Sequence, residues 1–194
     1  MLTDWGRRTF RFILEPIASL FHLLHITPNV ITLLGVLLSI VVAYLIVEGH
    51  VVAAGFVYVL AAGADAVDGT LARQMGIRNK FGAFWDSTLD RMGEAIVLGA
   101  LGVWAAQQGS TLGVMLAFAA LITSYLVSYT RARAEGLGLE CKVGVGTRVE
   151  RFIILAAGLA LNAPIYGLAL VALVAGITVL QRIYSVWAQT RPPS

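Results

Sequence analysis

Long apolar runs separated by short polar turns set the plan of this chain. After Thr27-Pro28-Asn29, a helix start with a capping threonine and a proline in the first turn, Val30 to Val47 is apolar for long enough to cross a hydrocarbon core about 30 Å thick. Glu48-Gly49-His50 turns the chain, and a second run covers Val52 to Met75. A polar loop with Arg78, Asn79 and Lys80 precedes a third run from Gly82 to Ala106. Gln107 to Thr111 forms the next turn. A fourth run, Leu112 to Tyr129, continues as helix through Arg131, Arg133 and Glu135. The glycine-rich loop Gly136 to Thr147, with Lys142, leads to a short fifth run, Val149 to Leu161, that starts with Glu150 and Arg151. Asn162-Ala163-Pro164 turns the chain into the last run, Ile165 to Trp187, which carries Arg182. Alternation with a period of two is absent, so a β-barrel is disfavoured. Upstream, Thr3 to Leu24 interleaves Arg7, Arg8 and Arg11 with Trp5, Phe10, Phe12, Ile13 and Leu14, the mixture of an amphipathic helix at a membrane surface. It lacks the uninterrupted apolar core and cleavage site of a secretory signal, so it is not expected to be removed. The pattern predicts an all-α polytopic membrane protein: six transmembrane helices (residues 26–188) behind an N-terminal interfacial helix (residues 1–25).

Composition agrees. Of 194 residues, 58% are hydrophobic and 13% charged, and the mean hydropathy is +0.82, values far from those of a soluble domain. The length suits one bundle rather than two domains. Charge then orients it: with both termini on one side, all 14 Lys and Arg residues fall on that side or in the near half of a span. The opposite turns at Glu48, Gln107 and Asn162 carry none, which makes the termini cytoplasmic by the positive-inside rule. Cys141 stands alone and reads as incidental, while His22 and His25, with no carboxylate or cysteine nearby, read as interfacial. Trp85, Trp104, Tyr184 and Trp187 near span ends read as belt residues. Nothing predicts a nucleic-acid partner.

Four aspartates interrupt the apolar pattern. Asp65 and Asp68 lie three apart near the end of the second span, and Asp86 and Asp90 lie four apart at the start of the third, so each pair projects from one helical face. Facing one another they would repel and take up protons unless divalent cations were present. Oxygen ligands without His or Cys select Mg²⁺, Mn²⁺ or Ca²⁺, and a pair of such ions suits phosphoryl chemistry. The plainer alternative pairs these carboxylates with Arg73 and Arg91, or makes them part of an ion path. Four at these spacings, with Gly69 and Gly82 leaving room for a phosphate or a helix, favour the metal pocket. It would lie in the cytoplasmic half of the membrane.

The run Asp65-x2-Asp68-Gly69-x2-Ala72-Arg73-x8-Gly82-x3-Asp86-x3-Asp90 matches without a departure the signature of the CDP-alcohol phosphatidyltransferases, and the chain is similar to that family over nearly its whole length. The resemblance implies one membrane domain over residues 1–194 in the cell (inner) membrane, commonly a homodimer, with the active site cytoplasmic. It implies transfer of a phosphatidyl group from CDP-diacylglycerol to an alcohol, with release of CMP. By the same likeness Asp65, Asp68, Asp86 and Asp90 would hold Mg²⁺ or Mn²⁺, two ions being expected, with Asp90 also placed to take the acceptor hydroxyl's proton one turn beyond its neighbour. Gly69, Ala72, Arg73 and Gly82 would surround the CDP moiety, with Asn29 and Thr32 lining the same pocket.

Basic residues gather at the cytoplasmic ends of the last spans: Arg131, Arg133, Lys142, Arg148, Arg151 and Arg182. Singly each reads as an anchor to anionic headgroups. Together they favour an acceptor that itself bears a phosphate. The segments S-Y-T-R-A-R-A-E-G-L-G, R-V-E-R-F-I-I-L and V-L-Q-R-I-Y-S-V-W resemble those of prokaryotic phosphatidylinositol phosphate synthases, which implies inositol phosphate as acceptor with Arg131, Arg151 and Arg182 foremost on its phosphate. Glu135 and Glu150 are candidates to orient these arginines. The rival within the class is phosphatidylglycerol phosphate synthesis from glycerol 3-phosphate. A cation transporter is disfavoured because the outer half of every span is apolar, and a lipid phosphatase would release product without an alcohol.

Overall fold

A computed structural model of the chain describes residues 15–76 and 80–191, and of Asp65 only the backbone. The described residues are helical with short turns and contain no strand. Helix α1 is Pro28–Val47, α2 Val51–Gln74, α3 Lys80–Gln107, α4 Thr111–Gly136, α5 Arg148–Ala160 and α6 Pro164–Gln189. Each expected run is met within a few residues, because turn chemistry marks the boundaries. At one of them Gly109 adopts a φ of 66°, which glycine takes without strain, and the Ser110 hydroxyl then accepts from Gly113 N at 3.1 Å to open α4.

Among the described residues four helices, α1, α2, α4 and α6, are long and apolar enough to cross a membrane. This is a membrane protein. α3 has the length but carries Lys80, Asp86, Asp90, Arg91 and Glu94 between its start and its middle. α5, at 13 residues, rises only about 20 Å, less than a hydrocarbon core. The expected interfacial helix is described only from residue 15: its stretch 3–14, with Arg7, Arg8 and Arg11, lies outside the described residues. Residues 15–23 are helical, bury Ala18, and leave Ile17, Leu20 and Leu23 exposed.

The chain forms two compact units. One comprises Met1–Tyr44 and Phe56–Val97, the other Leu45–Gly55 and Leu98–Ser194. In the first, Ala18, Ile31, Val67 and Leu71 form a buried cluster joined by Phe21, Ile26, Ala64 and Met75. Gly93 lets α3 approach α1, for a Cβ there would stand 2.9 Å from Ser39 Oγ. In the second unit α6 packs on both α4 and α5. Val127, Ala175 and Val179 form its α4–α6 core. Between α5 and α6 a Cβ on Gly158 would sit 3.0 Å from Gly167 Cα, so the backbones nearly touch, the close approach that small residues permit between membrane helices.

Candidate active site

Helical spacing puts chemistry on the first unit. Asp68, in α2, is 6% exposed. Its Oδ2 accepts from Thr32 Oγ1 of α1 at 2.8 Å, a buried bond that fixes the carboxylate's orientation. The same hydroxyl lies 3.1 Å from Pro28 O, in its own helix. Asp65 precedes Asp68 by three positions on the same helix. On α3, Asp86 is half-buried, with its Oδ1 a buried atom. One turn on, the Asp90 side chain is only 10% exposed, with Arg91 Nη2 at 3.9 Å from its Oδ2. Arg91 also reaches the equally buried Glu94, Nη1 to Oε2 3.7 Å, so this arginine stands between two carboxylates rather than cancelling one. Among the described residues, no three Asp, Glu, His or Cys side chains draw close enough to hold one ion; the Asp65 side chain lies outside that set. In chemistry the donors fit a hard divalent cation: the acidic groups here are all carboxylates.

The residues expected to receive the nucleotide belong to the same unit. Arg73 is exposed and turns back along α2, donating Nη2 to Thr70 Oγ1 at 2.9 Å, while its Nη1 lies 3.8 Å from where a Gly69 Cβ would be. Ala72 and Gly82 are half-buried. Asn29 receives Trp85 Nε1 on its main-chain carbonyl at 3.3 Å, and Trp85 stacks on Phe81 with ring centroids 5.8 Å apart. Trp85, read from the sequence as a belt residue, thus braces α3 against the start of α1. Its partner is a backbone atom, which no motif records.

The basic residues expected at the acceptor, Arg131, Arg133, Lys142, Arg148, Arg151 and Arg182, all belong to the second unit, and the structure sorts them. Arg131 is half-exposed and pairs with Glu135 Oε1 at 2.8 Å, one turn on along α4. Arg133 is exposed, Lys142 is exposed beside Glu140, and Arg148 opens α5 half-buried. Glu150 accepts from the Thr147 hydroxyl at the start of α5, a contact between side chains rather than with an arginine. Arg151 and Arg182 differ from the rest, being 1% and 4% exposed. Arg151 Nη1 donates to Gly146 O at 2.9 Å. Arg182 Nε donates to Val143 O at 3.0 Å, and its Nη1 to Val127 O. Both therefore hold the loop before α5. Cys141, in the same loop, is fully buried.

That loop is in turn fixed to α6. Gly146 N donates to Thr178 Oγ1 at 2.7 Å, Val145 N to Gln181 Oε1 at 3.2 Å, and Gln189 Nε2 reaches Glu140 O at 2.8 Å. Thr178 and Gln181 escaped the sequence reading, for their partners are main-chain atoms more than thirty positions away.

The family model for CDP-alcohol phosphatidyltransferases matches residues 25–184. The chain is 38% identical over 172 residues to the archaetidylinositol phosphate synthase of Pyrococcus horikoshii, covering 88% of this chain and 89% of that protein. With the phosphatidylinositol phosphate synthase of Corynebacterium glutamicum it shares 36% over 192 residues, 94% of this chain and 88% of the relative. Its fold is also that of the Mycobacterium tuberculosis phosphatidylinositol phosphate synthase solved with CDP-DAG bound: the TM-score is 0.85 at 32% identity, covering 94% of this chain and 98% of that one. A second crystal structure of that protein, in complex with manganese and citrate, gives 0.85 at 32% identity, with 93% of each chain covered. The chain belongs to the CDP-alcohol phosphatidyltransferase family. It is an enzyme of phospholipid biosynthesis, a phosphotransferase.

Proposed function

We propose that this protein transfers the phosphatidyl group of CDP-diacylglycerol to a hydroxyl of inositol phosphate, giving phosphatidylinositol phosphate and CMP. The observation that carries the reading is the kind of relative it matches. Bacterial and archaeal proteins similar over 88% or more of this chain are named for different lipid moieties and the same inositol phosphate headgroup. The headgroup is thus what they share, and the buried cations Arg151 and Arg182 give the second unit the charge a phosphorylated acceptor needs.

Asp65, Asp68, Asp86 and Asp90 would hold Mg²⁺ or Mn²⁺, two ions being the reading, and such ions offset the charge of a diphosphate and stabilise CMP as it departs. Thr32 steadies Asp68 for that role. Asp90 takes the proton of the acceptor hydroxyl as its oxygen forms a bond to the lipid-bearing phosphorus and the bond from that phosphorus to CMP breaks. Arg73, with Gly69, Ala72, Gly82, Asn29 and Thr32, binds the CDP moiety, and burial of Asp68 and Asp90 keeps competing water away from the carboxylates. Arg131, Arg133, Lys142, Arg148, Arg151 and Arg182 bind the acceptor's phosphate. α3 and α5 are the other two of six membrane segments, α5 being too short to cross a hydrocarbon core by itself, and the enzyme works as a homodimer in the inner membrane with termini and active site facing the cytoplasm.

The test is CMP release from CDP-diacylglycerol with magnesium or manganese, across inositol phosphate, glycerol 3-phosphate, serine and no acceptor. Release with inositol phosphate alone supports the reading. Release with glycerol 3-phosphate instead moves the enzyme to phosphatidylglycerol phosphate synthesis, and release without acceptor makes it a hydrolase.

A further inference from the structure

Two buried guanidinium groups are anchored to one short piece of backbone. Arg151 hydrogen-bonds to Gly146 O, and Arg182 to Val143 O as well as to Val127 O of α4; a guanidinium is a rigid planar fork, so this backbone helps to set the direction of each. The segment 143–146 cannot slide on α6. A Cβ at Gly146 would stand 2.6 Å from Val174 O, and one at Gly144, whose φ is 137°, would overlap Thr178 Cγ2. Glycine at both positions lets the loop backbone lie directly against the helix.

Thr178 is the catch in this seat. It is fully buried, and its hydroxyl does two things at once: it donates to Val174 O at 2.8 Å and accepts from Gly146 N at 2.7 Å. The donated bond fixes where the oxygen lies, and the accepted one fixes the peptide of Gly146, the residue whose carbonyl holds Arg151. One residue of backbone separates the hydroxyl from the guanidinium. Gln181, one turn beyond Thr178, repeats the contact more weakly on Val145 N at 3.2 Å.

We propose that Thr178 is a positioning residue for the acceptor's phosphate, acting through Gly146 on Arg151 and through the seated loop on Arg182. This rests on the reading that these two arginines bind the acceptor. Thr178 touches no substrate; it sets the direction in which a charged fork is presented. Its removal therefore weakens capture of the phosphorylated alcohol and leaves capture of the CDP-lipid alone.

The experiment uses the full chain in detergent–lipid micelles, with CMP release measured while inositol phosphate and CDP-diacylglycerol are varied in turn. Thr178→Val keeps the shape and deletes the hydroxyl. It should raise the KM for inositol phosphate about five- to tenfold, the worth of one buried hydrogen bond, with the KM for CDP-diacylglycerol changed less than about twofold. Thr178→Ser, which keeps the hydroxyl, should restore the wild-type value. Gln181→Leu, at a half-buried position, should shift the acceptor KM in the same direction by about two- to threefold. Arg151→Lys tests the underlying reading. If Arg151→Lys raises the acceptor KM and Thr178→Val does not, the positioning role is overturned while the acceptor site stands. If neither moves it, the acceptor site fails and the proposal with it. A rise in both KM values with Thr178→Val, or no rescue by serine, reduces Thr178 to a general structural part. Should the valine variant not fold, an unchanged acceptor KM in Gln181→Leu overturns the proposal and a selective rise upholds it.

Discussion

A hydroxyl 2.8 Å from the Asp68 carboxylate makes Thr32 a residue with a measurable task. Thr32→Val should weaken Mn²⁺ binding about three- to tenfold without lowering the melting temperature much, since one hydrogen bond to a charged group is at stake. A Mn²⁺ titration followed by electron paramagnetic resonance reads this without turnover; unchanged affinity would remove Thr32 from the carboxylate's support. Asp86→Asn should abolish transfer, by about 10³-fold or more, in a chain that still folds, because charge developing on the departing group loses its counterweight. Ser124 gives the opposite expectation: its Oγ is buried and has no hydrogen-bond partner among the described residues. Ser124→Ala should leave stability unchanged or raise it by about 1 kcal/mol in chemical denaturation. At this scale the aspartates, Arg73 and the arginines proposed for the acceptor stand out in the sequence, because ionised groups in an apolar run announce themselves. Trp85, Thr178 and Gln181 do not, because each acts on a main-chain atom brought close only by folding.

Turn chemistry and apolar runs predicted the helices nearly to the residue, since Pro28, Gly49, Gly109 and Pro164 sit where a chain must start or stop. Less visible were the places where helices touch. Gly55 and Gly158 look like any span glycine, yet a Cβ at Gly55 would meet Ala160 N at 2.9 Å and one at Gly158 would meet Gly167 Cα at 3.0 Å. Neither neighbour is a flexible side chain. Gly55→Ala and Gly158→Ala should each destabilise the second unit by about 1–3 kcal/mol, the usual effect of overpacking, seen as a lower melting temperature in detergent. An unchanged melting temperature would mean the backbones are free to separate. Gly63 and Gly99, with nothing within 4 Å, should tolerate the same change, which makes them the controls.

At the scale of the whole molecule, the distribution of 14 basic residues predicts sidedness. Cysteine placed at Gln108 should react with a membrane-impermeant maleimide added outside intact cells, and cysteine at Lys142 only after lysis. Reaction of both from outside would refute the topology. The native Cys141, fully buried, should stay silent in either case. The primary structure by itself determined helical class, membrane residence, helix boundaries and the acidic residues of the candidate site, since each follows from local spacing, turn chemistry or the expense of charge in an apolar run. Only the tertiary structure decided that Thr32 serves Asp68, that Arg91 stands between Asp90 and Glu94, and that the two buried arginines share the segment 143–146 seated on Thr178. Those are pairings between side chains and atoms distant in the chain, and which distant atoms meet is set by how helices pack rather than by the order of residues along them.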